Sequence, residues 1–406
     1  MTKAANPFAL MVKAAGSNCN LRCRYCYYLG NDVSHHQLMT EECLRTLIRK
    51  YIEASPQPVL SFVWHGGEPM LRGLEFYRKA VAIQKELLPE GWQCWNNLQT
   101  NGTLLNDEWC QFLKEENFDV GISIDGADFI HDEYRLDAKG EGTYDLVSEK
   151  IELLMKYGIK PDLLCTVTQI TAEYGYEVYN NLKRFNTGWI QFIPIVNRDE
   201  RGNVTEESVR PESYGEFLCT AFNQWLYNDL GRNNVQLFAE MLNVYAGGRQ
   251  NLCWLSPRCG NVPVVESDGK VYSCDHFVNH QYYLGNIISD DFSRMLDSEQ
   301  QISFGNKKAD LCDKCQKCRF KNLCNGGCPK DRQENGDNYL CEGLHRLFSL
   351  ADEPLRKTVS MLKQGYKPDQ IMPELRKDRK ERWKAVGKNS PCPCGSGRKF
   401  KNCCGK

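Results

Sequence analysis

The sequence predicts an α/β protein that opens with a parallel barrel or partial barrel of six β/α units and continues into a cysteine-rich segment and a short basic tail. Three observations carry this expectation. Apolar, β-rich runs alternate with amphipathic stretches between Phe8 and Val196. Short glycine- and acid-bearing motifs follow several of those runs, which is where a parallel barrel carries its functional groups. The 21 cysteines fall mainly into three groups rather than along the whole chain. A doubly wound parallel sheet is the alternative architecture for the same alternation.

The strand candidates are residues 8–12, 59–64, 92–98, 120–124, 163–167 and 189–196. Residues 74–88 bring Phe76, Ala80, Ile83 and Leu87 onto one helical face. Thr40, Asn106 and Thr143 offer capping side chains at helix starts. HGGEP follows the second strand, QTNGT the third and SIDG the fourth. These signals place the barrel at residues 1–245 and the cysteine-rich domain at 246–345. A helical segment follows at 346–386, and a small basic module at 387–406.

Composition narrows the class. With 41% hydrophobic and 25% charged residues the chain is an ordinary globular one, which excludes wholesale disorder. It has no apolar run long enough to span a bilayer and no leader-like start, so a cytoplasmic location with no membrane partner is expected. Reduced clustered cysteines in that compartment bind metal more often than they form disulfides. Cys43, Cys94, Cys110, Cys165 and Cys219 are isolated and read as small buried hydrophobes. The net charge of -1 conceals an asymmetry: from Arg376 onward eleven Lys/Arg face two Asp/Glu, a surplus of nine.

Cys19, Cys23 and Cys26 supply three thiolates within eight residues, after the first strand. A structural zinc or a fully ligated iron-sulfur cluster takes four protein ligands, so three leave one position open to a small molecule. A zinc site borrowing a distant fourth ligand is the plain alternative. C-x3-C-x2-C with Tyr25 before the last cysteine resembles the radical S-adenosylmethionine superfamily. The resemblance implies a 4Fe-4S cluster on these cysteines, whose open iron chelates S-adenosylmethionine and yields a 5'-deoxyadenosyl radical. Gly66-Gly67-Glu68-Pro69 resembles the family's GGE motif, whose backbone receives the methionine ammonium. Tyr25, Gly67, Ser123, Arg135 and Val196 match cofactor-binding positions in the family.

Cys253, Cys259 and Cys274 are followed by Cys315-x2-Cys318-x5-Cys324-x3-Cys328 and then Cys341. This pattern resembles the SPASM extension of radical enzymes. The resemblance implies auxiliary cluster I on Cys253, Cys259, Cys274 and Cys328, and auxiliary cluster II on Cys315, Cys318, Cys324 and Cys341, three 4Fe-4S clusters in all. Cys312, three residues before Cys315, is an alternative ligand. A zinc ribbon on Cys315, Cys318, Cys324 and Cys328 explains fewer of the cysteines.

HGGEP, LQTNGTLL, SIDG, VVESDGKVYSCDHF and LGNI resemble the anaerobic sulfatase-maturating enzymes, over residues 8 to about 350. That resemblance implies oxidation of a cysteine or serine in a C/S-x-P/A-S-R segment of an unfolded or nascent sulfatase to Cα-formylglycine. It makes Asp275 the base that takes the thiol or hydroxyl proton, a task that suits a carboxylate whose pKa is raised by burial or that lies near a substrate thiol of lowered pKa. It also puts Tyr28 and Gln99 near the substrate, and implies an electron donor such as flavodoxin or ferredoxin. Another SPASM peptide-modifying enzyme, forming thioether or carbon-carbon crosslinks, is the alternative reading. An electron-transfer or metal-storage protein is a third, and it leaves the three-cysteine group unexplained.

Cys392, Cys394, Cys403 and Cys404 form C-x-C-x8-C-C in the basic tail. The pattern resembles the SEC-C motif and suits one structural Zn2+. The tail's charge suits docking to an acidic protein surface or to nucleic acid; a dispensable appendage is the other reading.

Overall fold

The computed structural model describes residues 3–28, 37–393 and 398–402. Its strands, in chain order, are β1 (Leu10–Val12), β2 (Val59–Trp64), β3 (Gln93–Thr100), β4 (Asp119–Ser123), β5 (Asp162–Val167), β6 (Trp189–Pro194), β7 (Asn234–Val235), β8 (Val264–Val265), β9 (Lys270–Tyr272) and β10 (Tyr283–Asn286). The first six overlap the six runs read from the sequence, and β2 has the same limits. The chain divides into two compact units: residues 1–123, 132–161 and 258–310, and residues 124–131, 162–257 and 311–406.

In the first unit β1, β2, β3 and β4 are parallel and lie in sequence order. That unreversed order belongs to a winding barrel; a doubly wound sheet reverses at its switch point. On the other side of β1 the sheet continues through β8, parallel to β1, and then through antiparallel β9 and β10. The cysteine-rich part of the sequence thus contributes a hairpin to the edge of the barrel sheet.

Period-two alternation sorts the two faces of this sheet. On β2, Leu60, Phe62 and Trp64 are buried while Val59, Ser61 and Val63 are partly open. The buried set faces helices: the Phe62 ring lies 5.0 Å from Tyr51 on helix Glu41–Ala54, and Trp64 lies 5.5 Å from Tyr77 on helix Leu74–Leu87. Burying side chains of this size contributes roughly 2–3 kcal/mol each. The opposite face is left for the site.

Capping follows the sequence at two of three helix starts. The Thr40 and Asn106 side chains accept from the Cys43 and Trp109 amides. Thr143 instead donates to the Arg135 carbonyl, while Asp132 accepts from the Thr143 and Tyr144 amides at the helix start. Of the isolated cysteines, Cys43, Cys110, Cys165 and Cys219 are buried and Cys94 is half-buried.

The second unit holds β5, β6 and β7 in parallel order. Its helices Pro211–Gln224 and Cys341–Lys363 pack closely, because a Cβ on Gly215 would come within 2.7 Å of the Gly343 Cα. Among the described residues no helix is long and apolar enough to cross a membrane.

Candidate active site

Strand register brings residues distant in sequence into one row. Val12 pairs with both Trp64 and Val265, so Lys13, His65 and Glu266 follow side by side at the C-terminal ends of β1, β2 and β8. Trp64 also pairs with Leu98, which sets Gln99 next to His65 in the row.

Lys13 is fully buried. Its ammonium lies 2.5 Å from Asp275 Oδ1, 3.3 Å from His65 Nδ1 and 4.8 Å from the centre of the Tyr28 ring. His65 Nδ1 also accepts the Gly66 amide at 2.7 Å, so with two donors on Nδ1 the ring proton belongs on Nε2. Burial, and then the Lys13 ammonium, hold the imidazole's pKa down at about 4. The Tyr28 hydroxyl donates to both oxygens of buried Glu266, at 2.7 and 2.8 Å. Burial pushes the Glu266 carboxyl up to about 7, even though Lys13 and Tyr28 pull it down.

Asp275 stands where the hairpin returns to this row, directly after Cys274. Its Oδ2 accepts the Tyr27 hydroxyl at 2.6 Å, and Tyr27 directly follows Cys26. Burial would raise its carboxyl, but the charge of Lys13, helped by His65 and His276, outweighs burial and holds it far below the usual carboxylate range. The group is therefore an anion with one oxygen on a buried cation and the other on a half-open phenol. Its side chain keeps 13% exposure, enough to meet an incoming hydroxyl or thiol.

The three-cysteine loop is pinned from two sides. The Arg22 and Arg24 amides donate to the Leu136 and Tyr134 carbonyls. Opposite, the Gly67 and Glu68 amides donate to the Gly16 and Asn18 carbonyls at 2.9 and 2.7 Å. The glycines are required by this approach: a Cβ on Gly67 would sit 2.2 Å from Asn18 O, and Gly66 has φ +135° with Gly16 O at 2.8 Å from its Cβ position. Buried Glu68 locks the turn by accepting from the Met70 and Asn101 amides and the Thr100 hydroxyl. Burial pushes the Cys19 thiol up to about 11, with Cys23 and Cys26 near enough to add to the effect. Three thiols in one pinned turn fit a cluster with one open iron.

The other expected contacts fall as follows. Gln99 donates to the Ser123 hydroxyl at 3.2 Å. The Arg135 guanidinium is buried against the Tyr25 ring, 5.4 Å from its centre. Val196 lies in the second unit, buried, its carbonyl accepting from Lys330.

Among the cysteines of the C-terminal half, Cys315, Cys318, Cys324 and Cys341 line one cavity of about 190 Å³ with Phe320, Leu344 and Phe348. Four thiols in an apolar cavity fit a fully ligated cluster. Cys312 stands beside this set, within 3.3 Å of Asp337 Oδ1, and it forms a compact potential metal-holding group with Cys315 and Asp337. Cys253 and Cys328 belong to the second unit and Cys259 and Cys274 to the first. Burial, then Asp331 and more weakly Cys253, push the Cys328 thiol up to about 12. In the tail, buried Cys392 pairs through its amide with the Arg398 carbonyl; Cys394, Cys403 and Cys404 lie outside the described residues.

The sequence reading passed over Lys13, His65, Glu266 and Tyr27. One signal was present: a lysine closing the apolar run before the cysteine loop, where the strand's end is buried.

Comparison with known proteins agrees with this geometry. The radical SAM superfamily model matches residues 15–176, the iron-sulfur cluster-binding SPASM model residues 253–319, and the SEC-C motif residues 389–406. The serine-type anaerobic sulfatase-maturating enzyme of Bacteroides thetaiotaomicron is 40% identical, over 85% of this chain and 89% of its own. The chain belongs to the anaerobic sulfatase-maturating enzymes. The cysteine-type maturating enzyme of Clostridium perfringens is 33% identical over 85% of this chain and 96% of its own. A solved maturating-enzyme structure, described as native anSMEcpe with bound AdoMet and Cp18Cys peptide, superposes with a TM-score of 0.82 at 32% identity, over 87% of this chain and 99% of that one. Streptococcus suis SuiB, at 13% identity and a TM-score of 0.57, shares the fold alone. Six relatives at 32–40% identity carry the maturating-enzyme description, which does not favour the crosslinking alternative.

Proposed function

We propose that this chain oxidises a serine or cysteine side chain of a sulfatase polypeptide, within a C/S-x-P/A-S-R segment, to Cα-formylglycine. The observation that carries the reading is the hydrogen bond from Tyr27 to Asp275, which joins the three-cysteine loop to the carboxylate after Cys274. That contact supports Asp275 as a proton acceptor beside the loop that would generate the radical. When bound, S-adenosylmethionine and its cluster supply hydrogen abstraction at the substrate Cβ.

The chain's residues do the rest. Cys19, Cys23 and Cys26 would hold the reactive 4Fe-4S cluster, and Tyr25, Gly67, Ser123, Arg135 and Val196 would bind and orient S-adenosylmethionine. Tyr28 and Gln99 would shape the substrate side. Asp275 accepts the O–H or S–H proton as the Cβ hydrogen and one further electron are lost, and Cys253, Cys259, Cys274 and Cys328 would hold the auxiliary cluster that takes that electron. Serine then gives the aldehyde directly, and a thioaldehyde from cysteine hydrolyses to it. Lys13 holds the carboxylate as an anion able to accept, and the same pairing weakens it as a base, so the transfer depends on the acidity the substrate O–H or S–H gains when the Cβ hydrogen is lost.

Cys253, Cys259, Cys274 and Cys328 are assigned to auxiliary cluster I, and Cys315, Cys318, Cys324 and Cys341 to auxiliary cluster II, making three clusters with the first. The shared cavity of the second set supports that assignment. A flavodoxin or ferredoxin is the proposed reductant. Cys392, Cys394, Cys403 and Cys404 are proposed to hold one Zn2+ in a tail that docks an acidic protein or nucleic acid. The domain limits 1–245, 246–345, 346–386 and 387–406 are retained as a functional division.

Asp275→Asn tests the central role. The amide keeps the shape but accepts no proton at neutral pH. The variant should form 5'-deoxyadenosine carrying substrate deuterium while aldehyde formation is lost. Aldehyde at the parent rate would reject Asp275 as the base.

A further inference from the structure

We propose that Lys13 is a positioning residue for this oxidation, its buried ammonium fixing the Asp275 carboxylate toward the substrate; the inference rests on the proposed role of Asp275. A lysine is almost never fully buried unless paired. Here it is fully buried at the end of β1, where burying a charge costs several kcal/mol by itself. Its partners account for the whole head group: Asp275 Oδ1 at 2.5 Å, His65 Nδ1 at 3.3 Å and the Tyr28 ring face at 4.8 Å.

Each of those partners is itself held. His65 Nδ1 takes the Gly66 amide, and the Tyr28 hydroxyl is tied to Glu266. The register of β1 with β2 and β8 sets this cage, so the ammonium has little freedom to move. Asp275 is thereby gripped at Oδ1 from the buried side and at Oδ2 by Tyr27 from the half-open side. Only the remaining lone pairs on its exposed edge can face a hydroxyl or thiol.

A purely structural role is the weaker explanation. An apolar side chain of lysine's length would fill the same space without the cost of burying a charge, and such replacements of buried ion pairs are often neutral or stabilising. Retaining a cation here makes sense if the carboxylate must be an anion in a fixed place. Lys13 touches neither substrate nor cofactor in this account and acts through Asp275.

The test uses the full chain with reconstituted clusters, S-adenosylmethionine, a chemical reductant and a serine peptide deuterated at Cβ. Parent, Lys13→Met, Lys13→Arg, Asp275→Asn and the Lys13→Met/Asp275→Asn double variant are compared for cluster content, deuterium in 5'-deoxyadenosine, aldehyde yield and peptide KM. Lys13→Met should lower kcat for aldehyde about 100-fold, the size expected of a misplaced catalytic group, with KM within about threefold and deuterium still transferred. Lys13→Arg should recover part of the loss. The double variant should fall no further than Asp275→Asn, because the two act as a unit.

Aldehyde formation by Lys13→Met near the parent rate, with Asp275→Asn inactive, would overturn the positioning role and leave Asp275 standing. Full activity of Asp275→Asn would overturn both. Multiplying losses in the double variant would show that Lys13 acts independently and would also overturn the proposal. If Lys13→Met fails to hold its clusters, Lys13→Gln, which keeps a donor but no charge, is read by the same criteria.

Discussion

Gly67→Ala puts a methyl group where the loop before Cys19 passes. The new Cβ would lie 2.2 Å from Asn18 O, 2.6 Å from its carbonyl carbon and 2.7 Å from Ser17 O, all backbone atoms. Ordinary contact begins at 3.4 Å, so one segment must retreat by roughly 1 Å, an overpacking strain of about 1–3 kcal/mol. That retreat breaks the Gly67 to Gly16 and Glu68 to Asn18 hydrogen bonds, at 2.9 and 2.7 Å. They are worth about 1 kcal/mol each. The total is about 3–5 kcal/mol, concentrated on the loop that supplies the three thiolates. At about 1.4 kcal/mol per tenfold, S-adenosylmethionine affinity should weaken by about two to three and a half orders of magnitude. Equilibrium dialysis with S-adenosylmethionine, beside iron analysis of the reconstituted protein, reads both consequences. A variant with parental iron and an affinity within about threefold would refute the idea that Gly67 is dictated by this approach.

Three further outcomes follow. Glu266 has a raised pKa, so the folded state holds a proton that the unfolded chain releases between about pH 4.5 and 7; stability from this group is present at low pH and is lost as pH rises through about 7. Glu266→Gln should remove up to about 3 kcal/mol of that slope, seen as a smaller fall in melting temperature from pH 5 to pH 8 than the parent's, and an unchanged slope would contradict it. Cys315→Ala should lose about four irons per chain whereas Cys312→Ala keeps them, since Cys315 lines the four-thiol cavity and Cys312 does not; equal losses would make Cys312 a ligand. Removing residues 388–406 should lower zinc by about one ion per chain and leave oxidation of a short peptide intact, and loss of that oxidation would tie the tail to catalysis.

Much of this was legible in the sequence because the information is local. Alternating apolar runs locate β1 to β6, and Thr40 and Asn106 cap their helices from within a few residues. Thr143 fails to cap because its hydroxyl is engaged with the Arg135 carbonyl, eight positions earlier. The cage around Asp275 was hidden for a different reason. Lys13, His65 and Glu266 are separated by 52 and then about 200 positions and meet only through the pairing of β1 with β2 and β8. Nothing in the cysteine-rich segment announces that β8 to β10 join the sheet that begins with β1. Spacing was informative where the proposed ligands share one turn, as in the loop at Cys19, and less so for Cys253, Cys259, Cys274 and Cys328, which the chain distributes between two units.

The measurement that bears most directly on the central claim is product identification. The reconstituted chain is incubated without oxygen with S-adenosylmethionine, reductant and paired peptides carrying C-x-P-S-R or S-x-P-S-R, and the peptides are read by mass spectrometry with an aldehyde-trapping hydrazide. Formylglycine at the cysteine or serine position of at least one peptide, in step with 5'-deoxyadenosine, is the expected result. A crosslinked peptide, or 5'-deoxyadenosine released while both peptides stay unchanged, would contradict it.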